Sequence, residues 1–155
     1  MHSRERELTD VVMSVARTIR RRQIAALEPF GLSPSQGRAI RVLARAGEPV
    51  RLGFLAERLR IVPRSATDVV DSLEAAGWVT RMPDPADRRA VLLELTDSGA
   101  TLAAEITEAQ RRESADVFDD LDDSEQSVLF QLLERVDAGH DQGRARDCSK
   151  TRSLS

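Results

Sequence analysis

Two groups of polar side chains in this sequence could bind a charged or hydrogen-bonding partner. The first group follows Pro63 and consists of Arg64, Ser65, Thr67 and Asp68. An arginine can donate to phosphate or to a guanine edge, hydroxyls can bind phosphate or a base, and a carboxylate can accept from a cytosine amine. A solvated helix face carries the same residue types, so this group alone leaves both interpretations open.

The second group, Asp87, Arg88 and Arg89, lies in a polar stretch between two apolar segments. Two arginines at the tip of a hairpin can enter the minor groove of DNA, where negative potential is concentrated. Asp87 could orient one guanidinium through a bidentate pair. A cluster of surface salt bridges is the alternative, and these three residues by themselves do not exclude it.

Catalytic chemistry has few candidate residues here. The sequence has no tyrosine, one cysteine and two histidines, and the histidines are His2 and His140 near its ends. This inventory lacks a convincing nucleophile, acid–base pair or metal-ligand set. Acids crowd residues 119–123, but a helix start favours acids through the helix dipole. We therefore expect a protein that is not an enzyme and holds neither a metal nor another cofactor.

The elements that must position the two polar groups are mainly helices. Ser33, Pro34 and Gln36 form a helix start with an N-cap serine, a proline at the first helical position and a capping-box glutamine. Asp122 and Glu125 form another capping box. Apolar residues at helical spacing predict helices over Leu8–Leu27, Pro34 to about Ala46, about Leu52–Leu59, Pro63 to a stop at Gly77, Thr96 to about Phe118, and onward from Asp122.

After Gly77 the apolar period changes from helical spacing to two. Trp78–Met82 and Ala90–Leu95 are strand candidates, and Val50–Leu52 is long enough only for a short strand or bridge. The polar stretch Pro83–Arg89 is too long for a tight two-residue turn. We therefore expect a hairpin with an extended, charged loop at its tip.

This order of elements describes a winged helix-turn-helix: a short helix, a tight turn, a second helix with small polar residues at its start, and a hairpin. The predicted fold is mainly α with a small β-hairpin wing, a winged helix-turn-helix core plus N- and C-terminal dimerisation helices. Residues 1–30 are the N-terminal dimerisation helix, 31–97 the DNA-binding domain and 98–137 the C-terminal dimerisation helices. Residues 138–155 lack apolar periodicity and are predicted to be a disordered tail.

Charge leaves a second function open. The net charge is −3, which argues against a general polyanion binder, and residues 51–89 carry seven arginines against six acids. The alternative is therefore a winged-helix module that binds a protein and no specific DNA sequence.

No stretch approaches the roughly 20 consecutive apolar residues that cross a bilayer, and residues 1–9 lack the apolar centre of a signal peptide. We expect a cytoplasmic protein with no membrane partner.

The run from Leu32 to Gly99 resembles the core of the MarR family of bacterial regulators. The matching segments are Leu-Ser-Pro-Ser-Gln (32–36), Leu-Ala-Glu-Arg-Leu (55–59), Val-Val-Asp-Ser-Leu-Glu-Ala-Ala-Gly-Trp-Val (69–79), Asp-Pro-Ala-Asp-Arg-Arg-Ala (84–90) and Leu-Thr-Asp-Ser-Gly (95–99). The wing segment is the most specific part, because its aspartate, its arginine pair and the Leu-Thr-x-x-Gly helix start stand at fixed spacing.

The resemblance implies a homodimer that binds a palindromic operator in double-stranded DNA, a repressor that a small aromatic or phenolic effector releases. By position, the implied DNA-binding residues are Arg64, Ser65, Thr67 and Asp68 in the major groove and Asp87, Arg88 and Arg89 at the wing. The implied effector pocket lies near the first, second and fifth helices. The basic cluster Arg17, Arg20, Arg21 and Arg22 could favour an acidic ligand there or form a solvated face.

Four positions depart from the family pattern, and one of them is Gly53, where relatives often have a serine, so the start of the third helix is weaker. Asp68 and Ser72 stand where many relatives carry arginine, which weakens the expected phosphate contacts of the recognition helix and shifts more of them to the wing. Arg60 replaces a glycine that often follows the third helix, so the turn there is strained if it needs a left-handed residue.

Overall fold

A computed structural model describes the backbone of residues 2–150 and the side chains of residues 6–87 and 89–138. The chain divides into two compact units, Met1–Ser114 and Ala115–Ser155. The first unit contains α1 (His2–Ala25), α2 (Pro34–Ala46), β1 (Val50–Arg51), α3 (Leu52–Leu59), α4 (Pro63–Ala75), β2 (Val79–Asp84), β3 (Asp87–Leu95) and α5 (Asp97–Ser114). The second unit contains a 3₁₀ turn (Ala115–Phe118) and α6 (Asp123–Lys150).

The two capping boxes that the sequence predicts are confirmed in detail. The amide of Gln36 donates to Ser33 Oγ at 3.2 Å, and the amide of Ser33 donates to Gln36 Oε1 at 2.8 Å. The same reciprocal pair joins Asp122 and Glu125 before α6, at 2.9 and 3.0 Å. Both boxes satisfy amides that a helix start leaves without an intrahelical partner.

The turn between α3 and α4 requires a left-handed residue, and that residue is Arg60. Its φ is 55°, the one positive value outside glycine in the described chain. The amides of Arg60 and Ile61 donate to carbonyls of α3, and Arg38 Nη2 of α2 donates to the carbonyl of Leu59 at 2.5 Å. These bonds hold a conformation that costs an L-residue about 1 to 2 kcal/mol.

One core joins the helices of the first unit to the sheet. The largest fully buried side chains come from α2, α3, α4 and the two long strands: Ile40, Leu55, Leu59, Val70, Leu73, Val79 and Leu93. Burial of apolar surface contributes about 25 cal/mol per Å² to the free energy of folding. The packing of these side chains is therefore the main interaction that holds α4 and the hairpin in place. The relative positions of those two elements therefore follow from packing.

The hairpin differs from the prediction of an extended loop over residues 83–89, which is wrong. The three strands form an antiparallel sheet in the order β1–β3–β2, and the strands continue until Asp84 pairs with Asp87. Only two residues form the turn, because Asp84 Oδ1 accepts the amide of Ala86 at 2.8 Å and Pro85 supplies a preset φ. Pro83 fits because β2 is an edge strand and an irregularity follows it.

The terminal helices also differ from the predicted bounds. Helix α1 begins at His2, six residues before the expected Leu8, and α5 ends at Ser114, where a 3₁₀ turn takes over. Helix α6 continues past the predicted boundary at residue 138 as far as Lys150, over a stretch without proline. Residues 151–155 lie outside the described range, so disorder there stays a prediction. Within that range no helix combines the length and apolarity of a membrane span.

Gly99 allows α5 to approach the base of the hairpin. A Cβ at this position would stand 1.9 Å from the carbonyl oxygen of Trp78, which is backbone and cannot rotate away. We expect Gly99→Ala to lower the free energy of unfolding by about 1 to 3 kcal/mol, the range for overpacking. Urea unfolding followed by the fluorescence of the single tryptophan measures this loss.

Gly53→Ala is the matched control, since a Cβ at Gly53 would meet nothing within 4 Å. That substitution should leave the urea midpoint unchanged or raise it, because alanine favours a helix by up to about 1 kcal/mol over glycine. Equal midpoints for the two variants would contradict the close approach at Trp78.

Candidate nucleic-acid interface

Helix α4 presents the first polar group to solvent because its opposite side is buried. Ala66, Val70 and Leu73 are fully buried, which leaves Arg64 and Asp68 exposed and Ser65 and Thr67 half-buried beside them. The four predicted residues thus lie on the accessible part of the helix. The hydroxyl of Thr67 donates to the carbonyl of Pro63 at 3.1 Å, so it can only accept from a further partner.

The tip of the hairpin carries the second polar group. Arg89 is exposed, and no described residue forms an ion pair with its guanidinium. Asp87 Oδ1 accepts the backbone amide of Arg89 at 3.0 Å, and a role of Asp87 in orienting an arginine side chain stays a prediction. This bond fixes the backbone from which Arg89 projects. The side chain of Arg88 lies outside the described residues.

At the turn of the hairpin, Asp84 holds a guanidinium, a role that its position in the sequence did not predict. It is 7% exposed and accepts from Arg51 Nε at 2.9 Å and Nη2 at 2.6 Å. The hydrogen bond that the backbone amide of Ala86 donates and the contact with Arg51 hold the pKa of Asp84 below its usual value. The sequence Asp84-Pro85 is typical of a turn and could have been used to predict one. The pairing of Asp84 with Arg51 could not be predicted, because the two residues are 33 positions apart in the sequence.

A second ion-pair cluster joins the hairpin to α4. Arg81 of β2 contacts Asp71 Oδ1 through Nη2 at 2.6 Å and Glu74 through Nη1. The two carboxylates lie one turn apart on α4, so one guanidinium reaches both. Burial acts to lower the pKa of Arg81, but the hydrogen bonds to both carboxylates outweigh it and raise the pKa. Sequence reasoning counted these charges but did not pair them.

A cavity of about 380 Å³ lies between α1, α2 and α5. Its lining combines five apolar side chains with five polar ones: Ala16, Ile19, Ile24, Leu27 and Pro34, then Arg20, Gln23, Arg38, Arg41 and Gln110. Of the basic cluster at 17–22, only Arg20 lines the cavity. Burial and then the neighbouring Arg45 and Arg38 lower the pKa of Arg41, and no described carboxylate pairs with it.

Metal chemistry has no visible site in the described part of the chain. No group of three or more histidine, cysteine, aspartate or glutamate side chains is close enough there to hold an ion. The acids that crowd residues 119–123 include Asp122, whose carboxylate caps α6. Helix capping accounts for that residue without a ligand.

Comparisons with known proteins agree with this architecture. The model of the MarR family matches residues 32–91. The HTH-type transcriptional regulator PecS of Dickeya dadantii is 32% identical over 110 residues, which are 70% of this chain and 66% of PecS. The uncharacterized HTH-type transcriptional regulator Mb0904 of Mycobacterium bovis is 36% identical over 123 residues, which are 79% of this chain and 82% of Mb0904. These relatives are named as regulators, in agreement with the expectation that the chain is not an enzyme.

Solved structures show the same fold. The crystal structure of apo MarR from E. coli superposes with a TM-score of 0.75 at 25% identity and covers 83% of this chain and 95% of that one. A mutant of MarR complexed with operator DNA superposes with a TM-score of 0.66 at 24% identity, covering 84% and 93% of the two chains. The predicted winged helix-turn-helix fold is therefore confirmed.

The contact between the buried Asp84 carboxylate and the half-exposed Arg51 side chain should stabilise the unit in a pH-dependent way. Because the folded pKa of Asp84 is lowered, its stabilisation is present above the ordinary aspartate pKa of about 3.9 and is lost as the pH falls through the folded value. We expect Asp84→Asn to lower the urea midpoint at neutral pH and the two midpoints to converge as the pH falls below about 4.

Asp87→Asn is the control, since within the described part of the chain the exposed Asp87 side chain accepts a backbone amide, which asparagine also accepts. It should unfold at nearly the wild-type midpoint at neutral pH. An Asp84→Asn midpoint that equals the wild-type value at neutral pH would contradict the stabilising role of the contact.

Proposed function

This chain belongs to the MarR family of transcriptional regulators, and from that premise we propose that it binds a palindromic operator in double-stranded DNA as a homodimer. Each copy inserts α4 into a major groove and the tip of its hairpin into the adjacent minor groove. Such a regulator works in the cytoplasm. Operator DNA is the partner named for the MarR mutant of the same fold, which makes duplex DNA the partner to test.

One observation carries this proposal: two accessible arginines, on α4 and on the hairpin, project from elements that share one core. Arg64 stands in the first turn of α4, where helix-turn-helix proteins contact base edges, and Arg89 stands at the hairpin tip. Neither has an ion-pair partner among the described side chains, so both guanidiniums can donate to DNA. An arginine fork matches both guanine edges and narrow minor grooves.

Exposed apolar side chains support the homodimer. On α1 they recur at helical spacing and are 37–66% exposed: Leu8, Val11, Val12 and Val15, with Met13 beside them. On α6 a comparable set is 45–61% exposed: Val128, Phe130, Leu132, Leu133 and Val136. Apolar surface of this extent marks an interaction site in a water-soluble domain. A second copy presents the same two surfaces and would cover them symmetrically.

The cavity between α1, α2 and α5 supports control by a small anionic aromatic molecule. Its apolar lining suits a ring, and Arg41 offers a partly desolvated charge with no carboxylate partner in the described structure. The neighbouring Arg38 and Arg45 repel Arg41, so an anion would relieve an unfavourable interaction. We propose that an aromatic carboxylate or phenolate binds here and releases the protein from DNA.

Arg89→Ala tests the wing contact. We expect affinity for a duplex selected by the wild-type protein from a random-sequence pool to fall about tenfold or more, since a charged groove contact is worth about 1 to 3 kcal/mol. Affinity measured by fluorescence anisotropy at several salt concentrations should also depend less steeply on salt: the slope of log affinity against log salt concentration should decrease by about one.

Arg111→Ala is the charge-matched control, because Arg111 pairs with Glu108 on α5 and not with the proposed interface. Its affinity should stay near the wild-type value. Equal losses in the two variants would remove the wing from the mechanism. Wild-type binding that does not weaken as salt rises would favour the alternative of a protein-binding module.

Arg41→Gln tests the effector cavity. We expect para-hydroxybenzoate to raise the thermal midpoint of the wild-type protein and to weaken its binding to the selected duplex, whereas para-hydroxybenzamide does neither. Arg41→Gln should weaken binding of the acid about tenfold or more, the loss of a charged hydrogen bond. Arg45→Gln is the control, since Arg45 does not line the cavity. Equal binding of the neutral amide would contradict an anion site.

A further inference from the structure

We propose that Arg81 is a positioning residue for DNA binding, which sets the spacing between α4 and the hairpin so that both elements fit adjacent grooves. The inference rests on the proposed DNA-binding function. Arg81 lies in the middle of β2, opposite Leu93, and is not part of the surface that the sequence motifs assign to DNA. Its effect would pass through α4 and the hairpin.

The geometry of Arg81 is that of a bridge. Its side chain is 27% exposed, whereas its partners Asp71 and Glu74 are 59% and 41% exposed, so the guanidinium is the more enclosed member of the cluster. The planar fork places Nη2 on Asp71 and Nη1 on Glu74 at the same time. A single ammonium group lacks this fork and would hold such a pair less rigidly.

The bridge supplements a short covalent link. Between the end of α4 and the start of β2 stand only Ala76, Gly77 and Trp78, and Gly77 has a φ of 79°. The core holds the buried side of both elements, and the Arg81 cluster holds them together at the solvent side. Rotation of the hairpin about its base would move Arg89 relative to α4, and Arg81 opposes that rotation.

The bridge also explains how an acidic recognition helix remains compatible with DNA. Helix α4 carries Arg64 against the three acids Asp68, Asp71 and Glu74. Unpaired carboxylates would repel phosphates over roughly 8 to 10 Å at physiological salt. Arg81 pairs with two of these three acids, Asp71 and Glu74, so their negative charges are compensated within the protein.

Positioning and simple charge predict different behaviour for two kinds of variant. Arg81→Met removes one positive charge, and the double variant Asp71→Asn with Glu74→Gln removes two negative charges. Both break the bridge. Charge alone shifts affinity for all DNA in opposite directions in the two cases, whereas loss of positioning lowers the preference for the correct sequence in both.

The experiment measures the affinity ratio between a duplex selected by the wild-type protein from a random pool and a scrambled duplex of equal length. We expect this ratio to fall about fivefold or more in Arg81→Met and in the double variant, within the range of coupled contacts. The double variant should meanwhile bind the scrambled duplex more tightly than wild type. Arg81→Lys, which keeps the charge but not the fork, should lower the ratio to an intermediate value.

Arg111→Met is the matched control, because it removes the same charge and breaks a pair within one helix. Its ratio should equal the wild-type value. All variants should keep urea midpoints near wild type, since exposed ion pairs contribute little stability. A ratio that stays unchanged in Arg81→Met and in the double variant overturns the inference alone. A wild-type protein without preference between the two duplexes overturns the proposed function, and the inference with it.

Discussion

The burial of one side of α4 determines which polar side chains of this helix face solvent and where the hairpin lies beside it. Ala66, Val70 and Leu73 are completely enclosed, in contact with a core to which both long strands of the hairpin contribute. Because the side of α4 opposite the buried one faces solvent, the first two turns of the helix present Arg64 and Asp68 to solvent. The hairpin shares that core through Val79 and Leu93, so its tip stands at a set distance from the helix. Apolar packing alone therefore sets the relative positions of the two elements that are proposed to contact DNA.

Charged side chains then divide into those that hold the protein together and those that stay available. Arg51 secures the turn of the hairpin through Asp84, and Arg81 secures the hairpin to α4. These two arginines pair with three carboxylates, Asp84 on the hairpin and Asp71 and Glu74 on α4. The accessible arginines of α4 and of the hairpin tip lack such partners in the described structure. A protein with a net charge of −3 can thus present a local surface suited to DNA.

Local signals in the sequence predicted most of the fold, and long-range contacts account for what they missed. Capping boxes and proline positions gave the start of α2 at Pro34 and of α4 at Pro63, because those signals act within a few residues. The hairpin loop was predicted wrongly, because its polar sequence does not reveal strand pairing and because Asp84 contacts Arg51, which is 33 positions away in the sequence. The residues of the proposed interface were readable from a motif. The pairing of Arg81 with α4 depends on how elements pack, and spacing along the chain does not reveal it.

Footprinting with dimethyl sulfate tests the central claim most directly, because this reagent methylates guanine N7 in the major groove and adenine N3 in the minor groove. On a duplex selected by the wild-type protein, the account predicts guanine N7 protection in each half-site, adenine N3 protection immediately beside it, and two such blocks related by a two-fold axis. Protection confined to one groove, or a single block without a symmetric partner, would contradict the paired action of α4 and the hairpin in a dimer.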